Sequence, residues 1–184
     1  TGVHARLRAN CTAKTASAAA SAYSSSRTSR KIHTSTSIAA NTSEAVEISV
    51  PSYTPKSGSG NDKFSVQLWL KSDADATATV TTPNGATLTV APGETKNTTT
   101  SNDGIVSMEN GVFSGNGDRY VHFLATDPTE SNTPTSGTWT VEVQNNGTSS
   151  VVLDGWFPDS RIGEGKQPLN YVGGDTQSTV GIPG

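Results

Sequence analysis

The feature that most limits what this chain can become is a short-range alternation of apolar and polar residues, repeated several times. Val46, Ile48 and Val50 fall on one side of a two-residue period, with Glu47 and Ser49 on the other. Phe64, Val66, Leu68 and Leu70 repeat it with Trp69 opposite, and Trp139, Val141 and Val143 alternate with Thr140 and Glu142. A period of two puts successive side chains on opposite faces of an extended strand, so each stretch offers one face to a core. Turn signals separate the stretches: Thr82-Pro83-Asn84-Gly85, Asn110-Gly111, Gly115-Asn116-Gly117 and Asn145-Asn146-Gly147. Counting 45–50, 64–70, 77–82, 86–90, 105–108, 120–125, 139–143 and 151–157 gives about eight strands in about 115 residues, a spacing that suits an antiparallel sandwich. The expected fold is therefore all-β: a jelly-roll-like antiparallel β-sandwich with an irregular N-terminal segment. Its core is expected to hold Ile48, Leu68, Trp69, Phe123 and Trp139. Asn145-Asn146-Gly147 reads as a hairpin turn into the last strand.

Composition agrees with this reading. Gly, Asn, Ser and Thr are abundant while Ile, Leu, Val and Phe are scarce, as expected where short strands carry the apolar residues and turns carry the rest. No apolar run approaches the roughly 20 residues a membrane-spanning helix needs, so no membrane span is expected. Cys11 is the single cysteine, which excludes an internal disulfide. The histidines His4, His33 and His122 are too scattered for a zinc pattern.

The net charge of -3 conceals a split. Before Glu44 there is no acidic residue, while Arg6, Arg8, Lys14, Arg27, Arg30 and Lys31 make the beginning of the chain basic. The remaining 7 basic and 16 acidic side chains leave the rest near -9. Such an acidic body argues against a nucleic-acid partner, which calls for a basic face. Residues 1–30 read as a low-complexity basic segment expected to be disordered, with helix propensity only over 16–22. Residues 31–158 read as the sandwich. From 159 the period is lost: 159–174 is expected to be coil, and the whole of 159–184 a connector. The run from Asp175 to Gly184 ends on Val180, Ile182 and a Pro-Gly turn, and Thr1 is not a start methionine. Both ends are read as those of an excerpt.

Several stretches occur in an order that resembles the β-sandwich inserted into the catalytic domain of bacterial subtilisin-like serine peptidases (the S8 family, or subtilases). They are Ile32-His33, Val66-Gln67-Leu68-Trp69, Thr82-Pro83-Asn84-Gly85, Gly137-Thr138-Trp139-Thr140-Val141, Gly155-Trp156-Phe157 and Asp175 to Gly184. The resemblance covers about 31–184 and implies a fragment of a serine endopeptidase. In it the sandwich would serve as a structural brace or substrate-side wall. Its partners would be the remainder of the protease domain and the protease's protein substrates. A secreted or cell-surface protein is implied as well. One part of the family pattern is missing, because residues 1–30 contain no Ala-Gly-Asn.

The residues for catalysis are also missing. A serine nucleophile needs a histidine base and a carboxylate that fixes its tautomer. Subtilases carry these in Asp-Ser/Thr-Gly and His-Gly-Thr motifs, and neither occurs here. Gly147-Thr148-Ser149 imitates the family's Gly-Thr-Ser nucleophile motif, yet it sits in a turn with Ser150 following and no helix behind. Ser149 reads as a turn serine, so no catalytic residue is expected and the fragment alone should be inert. No cofactor is expected beyond calcium, for which Asp73, Asp75, Asn116 and Asp118 are the candidates; turn capping by the same Asx side chains explains both pairs equally. The alternative reading is a non-catalytic binding module of a secreted enzyme. It would resemble the P domain of convertases or a carbohydrate-binding sandwich, with Trp69, Trp156 and Tyr53 as a sugar-stacking platform.

Overall fold

The computed structural model describes residues 32–71, 74–159 and 161–173. The basic segment 1–30, the calcium candidate Asp73 and the run from Asp175 to Gly184 lie outside the described residues. The chain forms β1 (His33–Ile38), β2 (Ser43–Val50), β3 (Lys63–Leu70), β4 (Ala76–Thr81) and β5 (Thr87–Val90). It continues with β6 (Thr95–Thr99), β7 (Ile105–Val112), β8 (Arg119–Thr126), β9 (Gly137–Asn145) and β10 (Val151–Asp159). Three two-residue strands follow: β11 (Arg161–Ile162), β12 (Gln167–Pro168) and β13 (Asn170–Tyr171). One sheet has the order β1-β10-β3-β8-β7-β6, the other β13-β2-β9-β4-β5, and β11 pairs with β12. All these pairings are antiparallel. The fold is the expected all-β antiparallel sandwich. No helix of the described residues is long and apolar enough to cross a membrane.

Alternation does what the sequence implies. Val46, Ile48 and Val50 of β2 and Trp139, Val141 and Val143 of β9 point inward, against Phe64, Val66 and Leu68 of β3 and Val121, Phe123 and Ala125 of β8. Phe64 and Phe123 meet Trp139 across the sandwich with ring centroids 5.3 and 5.6 Å away, and each other at 5.5 Å. Such tilted and edge-to-face contacts bind the two layers beyond what area burial alone supplies.

Four local expectations change. Trp69 is half-buried on the outer face, because Leu68 and Leu70 occupy the inward positions of β3 and the period of two forces residue 69 outward. The segment after Asn145 is no hairpin: β9 belongs to one sheet and β10 to the other, so the chain crosses the sandwich there. Within 159–174, β13 pairs with β2, Tyr171 opposite Ile48, and Leu169 and Tyr171 are buried. Tyr171 stacks on Phe157 at 4.2 Å, which explains how a segment without periodicity becomes ordered. Strands β1 and β6 went unforeseen because edge strands need bury little; HTSTSI and TKNTT have too few apolar positions to show a period.

The Pro/Gly/Ser loop over 51–62 is tied down by two buried carboxylates. Asp62 N donates to Asp127 Oδ1 at 2.8 Å, Lys56 N to Asp62 Oδ2 at 2.8 Å, and Asp127 N to the Asp62 carbonyl at 3.1 Å. Asp127→Ala strips a buried N–H of its acceptor and should cost about 1–3 kcal/mol in urea unfolding. A loss under a few tenths would mean that water replaces the carboxylate. Tyr53 closes the same loop, its hydroxyl donating to the Pro134 carbonyl at 2.5 Å. Burial first, and the charges of Asp62 and Asp127 after it, push its pKa from the usual 10.0 up to about 12, against a lowering hydrogen bond with Thr133. A raised folded pKa means the stabilisation is complete below pH 10 and is lost as pH rises toward 12. Stability should therefore fall across pH 10–12, and less steeply in Tyr53→Phe; equal slopes in pH-dependent urea melts would refute the assignment.

Candidate functional site

The outward face of the six-stranded sheet holds an open concavity. Register builds it. Gln67 of β3 pairs with His122 of β8, and Trp69 with Tyr120. On the other side of β8, His122 pairs with Glu109 of β7 and Tyr120 with Gly111. Gly111 matters because it has no side chain. A Cβ there would come within 2.7 Å of the far end of the Tyr120 ring, so glycine lets that ring lie across β7. From this position the Tyr120 hydroxyl donates to Glu109 Oε1 at 2.5 Å.

The β7–β8 loop raises a wall. Phe113 N donates to the Asp118 carbonyl and Gly117 N to the Phe113 carbonyl, both at 2.8 Å. The exposed Phe113 ring folds back over Gly115 and meets Trp69 edge to face at 5.7 Å, while Trp69 and Tyr120 lie 5.8 Å apart. The result is an open cleft of about 550 Å³ with an aromatic floor and wall, rimmed by Gln67, Glu109, Asn116, Asp118 and His122. A few polar groups around an apolar surface is the ordinary make-up of a ligand site.

Its electrostatics are one-sided. Glu109 and Asp118 line the cleft, and among the described residues no lysine or arginine does. Asp154 of β10 stands opposite Trp69 in the register. Arg119 adjoins Tyr120 in sequence but is engaged elsewhere, Nε donating to the Ala74 carbonyl at 2.6 Å and Nη1 to Asn110 Oδ1 at 3.3 Å. The hydrogen bond to Glu109, with burial and the carboxylate charge behind it, raises the Tyr120 pKa above that of a free phenol.

Trp156 shares the face with Trp69: it pairs with Gln67, next to the Trp69 position on β3, and its ring meets His33 at 4.8 Å. His33 Nε2 lies 3.6 Å from Asp154 Oδ1. Tyr53 does not join them: its hydroxyl is bonded to the Pro134 carbonyl, and the residue lines a separate hollow with Glu164 and Gln167. The calcium candidates are scattered. Asp75 lies by a separate hollow with Gly147 and Ser149, while Asn116 and Asp118 line the cleft. Asn116 Nδ2 donates to Asp118 Oδ2 at 2.7 Å and Asn116 Oδ1 accepts from Asp118 N at 3.0 Å, the turn-capping use of these side chains. Among the described residues no three His, Cys, Asp or Glu side chains converge as metal ligands would. Ser149 is an exposed loop residue whose carbonyl accepts from Asn145 Nδ2 at 2.8 Å. Phe113, Tyr120 and Glu109 had no motif to mark them, and Gln67 stood in the Val66-Gln67-Leu68-Trp69 stretch without a role; only laying 105–126 against 63–70 in register would have gathered them.

No protein-family model matches the chain, and no curated protein does. Among solved structures, the CspB protease of Clostridium perfringens superposes with a TM-score of 0.59 at 15% sequence identity. The likeness is one of fold. It takes in 83% of this chain and 30% of that protease, so the chain spans less than a third of the longer protein.

Proposed function

We propose that this chain is a non-catalytic β-sandwich lobe of a protease, the inserted sandwich of a subtilisin-like serine endopeptidase, and that it braces the catalytic domain or walls its substrate side. The observation that carries this is the superposition of nearly the whole sandwich on a minor part of a protease chain. The order of the Trp69, Pro83-Asn84-Gly85, Trp139 and Trp156 segments supports the finer subtilase reading. The lobe brings neither the His-Gly-Thr nor the Asp-Ser/Thr-Gly motif, so proteolysis would come from the rest of the protein, in a secreted or cell-surface setting.

The reading is tested on the gene and on the parent protein. The coding sequence should place Asp and His motifs before Thr1 and a Gly-Thr-Ser motif after Gly184. A fluorophosphonate probe should label the parent protein and leave the 184-residue chain unlabelled. An open reading frame with intact flanks and none of those motifs would end the proposal.

A further inference from the structure

We infer that the cleft on the outer sheet face binds the guanidinium of an arginine presented by an extended peptide. The cleft would work this way whether or not a catalytic domain is attached. Trp69 and Tyr120 supply ring surface of the kind on which a planar guanidinium stacks, and Phe113 supplies an edge wall. Glu109 and Asp118 line the same cleft, and among the described residues no lysine or arginine lines it to neutralise them; Asp154 on the neighbouring strand faces His33 at 3.6 Å. An anion would be repelled there. A cation would be held.

The hydrogen-bonding capacity points the same way. Glu109 Oε1 accepts the hydrogen bond from the Tyr120 hydroxyl, which leaves Oε2 open to a ligand. Gln67 and His122, in the same cross-strand row, make no side-chain hydrogen bond within the described residues, so both remain for a ligand's backbone. Arginine suits the site better than lysine because its flat, forked donor group can stack on a ring and meet a carboxylate edge at once. A cleft of about 550 Å³, open along the sheet, takes an arginine side chain with the peptide on either side of it.

The test titrates the 184-residue chain with acetyl-Gly-Gly-Arg-Gly-Gly-amide and with its citrulline counterpart, in which a neutral urea replaces the guanidinium. Nuclear magnetic resonance follows the Trp69 indole and Tyr120 signals. Saturable shifts are expected with arginine, and removing one charge-assisted contact should weaken binding about tenfold or more for citrulline. The double variant Glu109→Gln, Asp118→Asn keeps the shapes and should lose affinity to a similar degree at an unchanged melting temperature. Should it melt early, Glu109→Gln alone and the citrulline comparison decide. Gly111→Ala, which pushes the Tyr120 ring aside, should also weaken binding. Equal affinity for both peptides would overturn the inference, and so would the absence of any shift. A neutral hexasaccharide that moves the Trp69 signal while the arginine peptide leaves it in place would overturn it in favour of a sugar site.

Discussion

Trp139→Ala should lower the unfolding free energy by about 3–5 kcal/mol, the largest loss expected from any single truncation in this sandwich. The side chain is fully buried on β9 and touches both Phe64 and Phe123 of the opposite sheet. Its Nε1 also donates to the Thr135 carbonyl at 2.9 Å, so truncation opens a cavity and removes a donor in one step. Neighbouring side chains cannot collapse into the gap without moving a paired strand, which is why the cost should fall in the upper part of the range for large-to-small changes. Urea melts of the two chains measure it. A loss well under 1 kcal/mol would mean that the two sheets are not held together through this residue. Trp69→Ala provides the contrast: the ring is half-buried on the outer face, so its removal should cost distinctly less.

The second large effect is expected at Asn145. It is fully buried at the end of β9, where the chain leaves one sheet for the other. Its Nδ2 donates to the carbonyls of Ile38, Ala39 and Ser149 at 3.2, 3.1 and 2.8 Å, and its Oδ1 accepts from Gly147 N at 2.9 Å. One amide therefore ties the end of β1, the crossover loop and β9 together. Asn145→Leu fills a similar volume but leaves those backbone groups short of partners, at a cost of about 2–4 kcal/mol. Asn145→Asp should be worse at neutral pH, since a buried carboxylate would face three carbonyl oxygens. Its pKa would be raised, so the lost stability should return on acidification. If Asn145→Leu melts like the parent chain, water must be serving those carbonyls instead.

Asn145 also illustrates how far the sequence could be read. Asn-Asn-Gly signals a change of direction wherever it occurs, and the chain does bend there, held by Gly147 N donating to Asn145 Oδ1. Whether the strands it joins pair with each other or belong to different sheets depends on partners 59 (Thr81↔Thr140) to 123 (His33↔Trp156) residues away, which no local signal carries. Tyr171 is similar: nothing around it alternates, and it is ordered because Ile48 and Phe157 are there to receive it. The hairpin at Thr82-Pro83-Asn84-Gly85 needed no such help, since β4 and β5 pair across it as local turn chemistry predicts.

What the sequence determined by itself is the period-two alternation, and with it the all-β class, the strands with a buried face and the inward place of Ile48, Leu68, Phe123 and Trp139. Those follow from the geometry of an extended chain that must hide its apolar side, a constraint that acts within a few residues. The tertiary structure alone decided which outward residues become neighbours. Trp69, Tyr120, Glu109 and Phe113 form a cleft because three strands lie in one particular register and a glycine at 111 leaves room for a ring. Register is fixed by the whole buried face at once, so the outer surface inherits an arrangement that its own residues did not select.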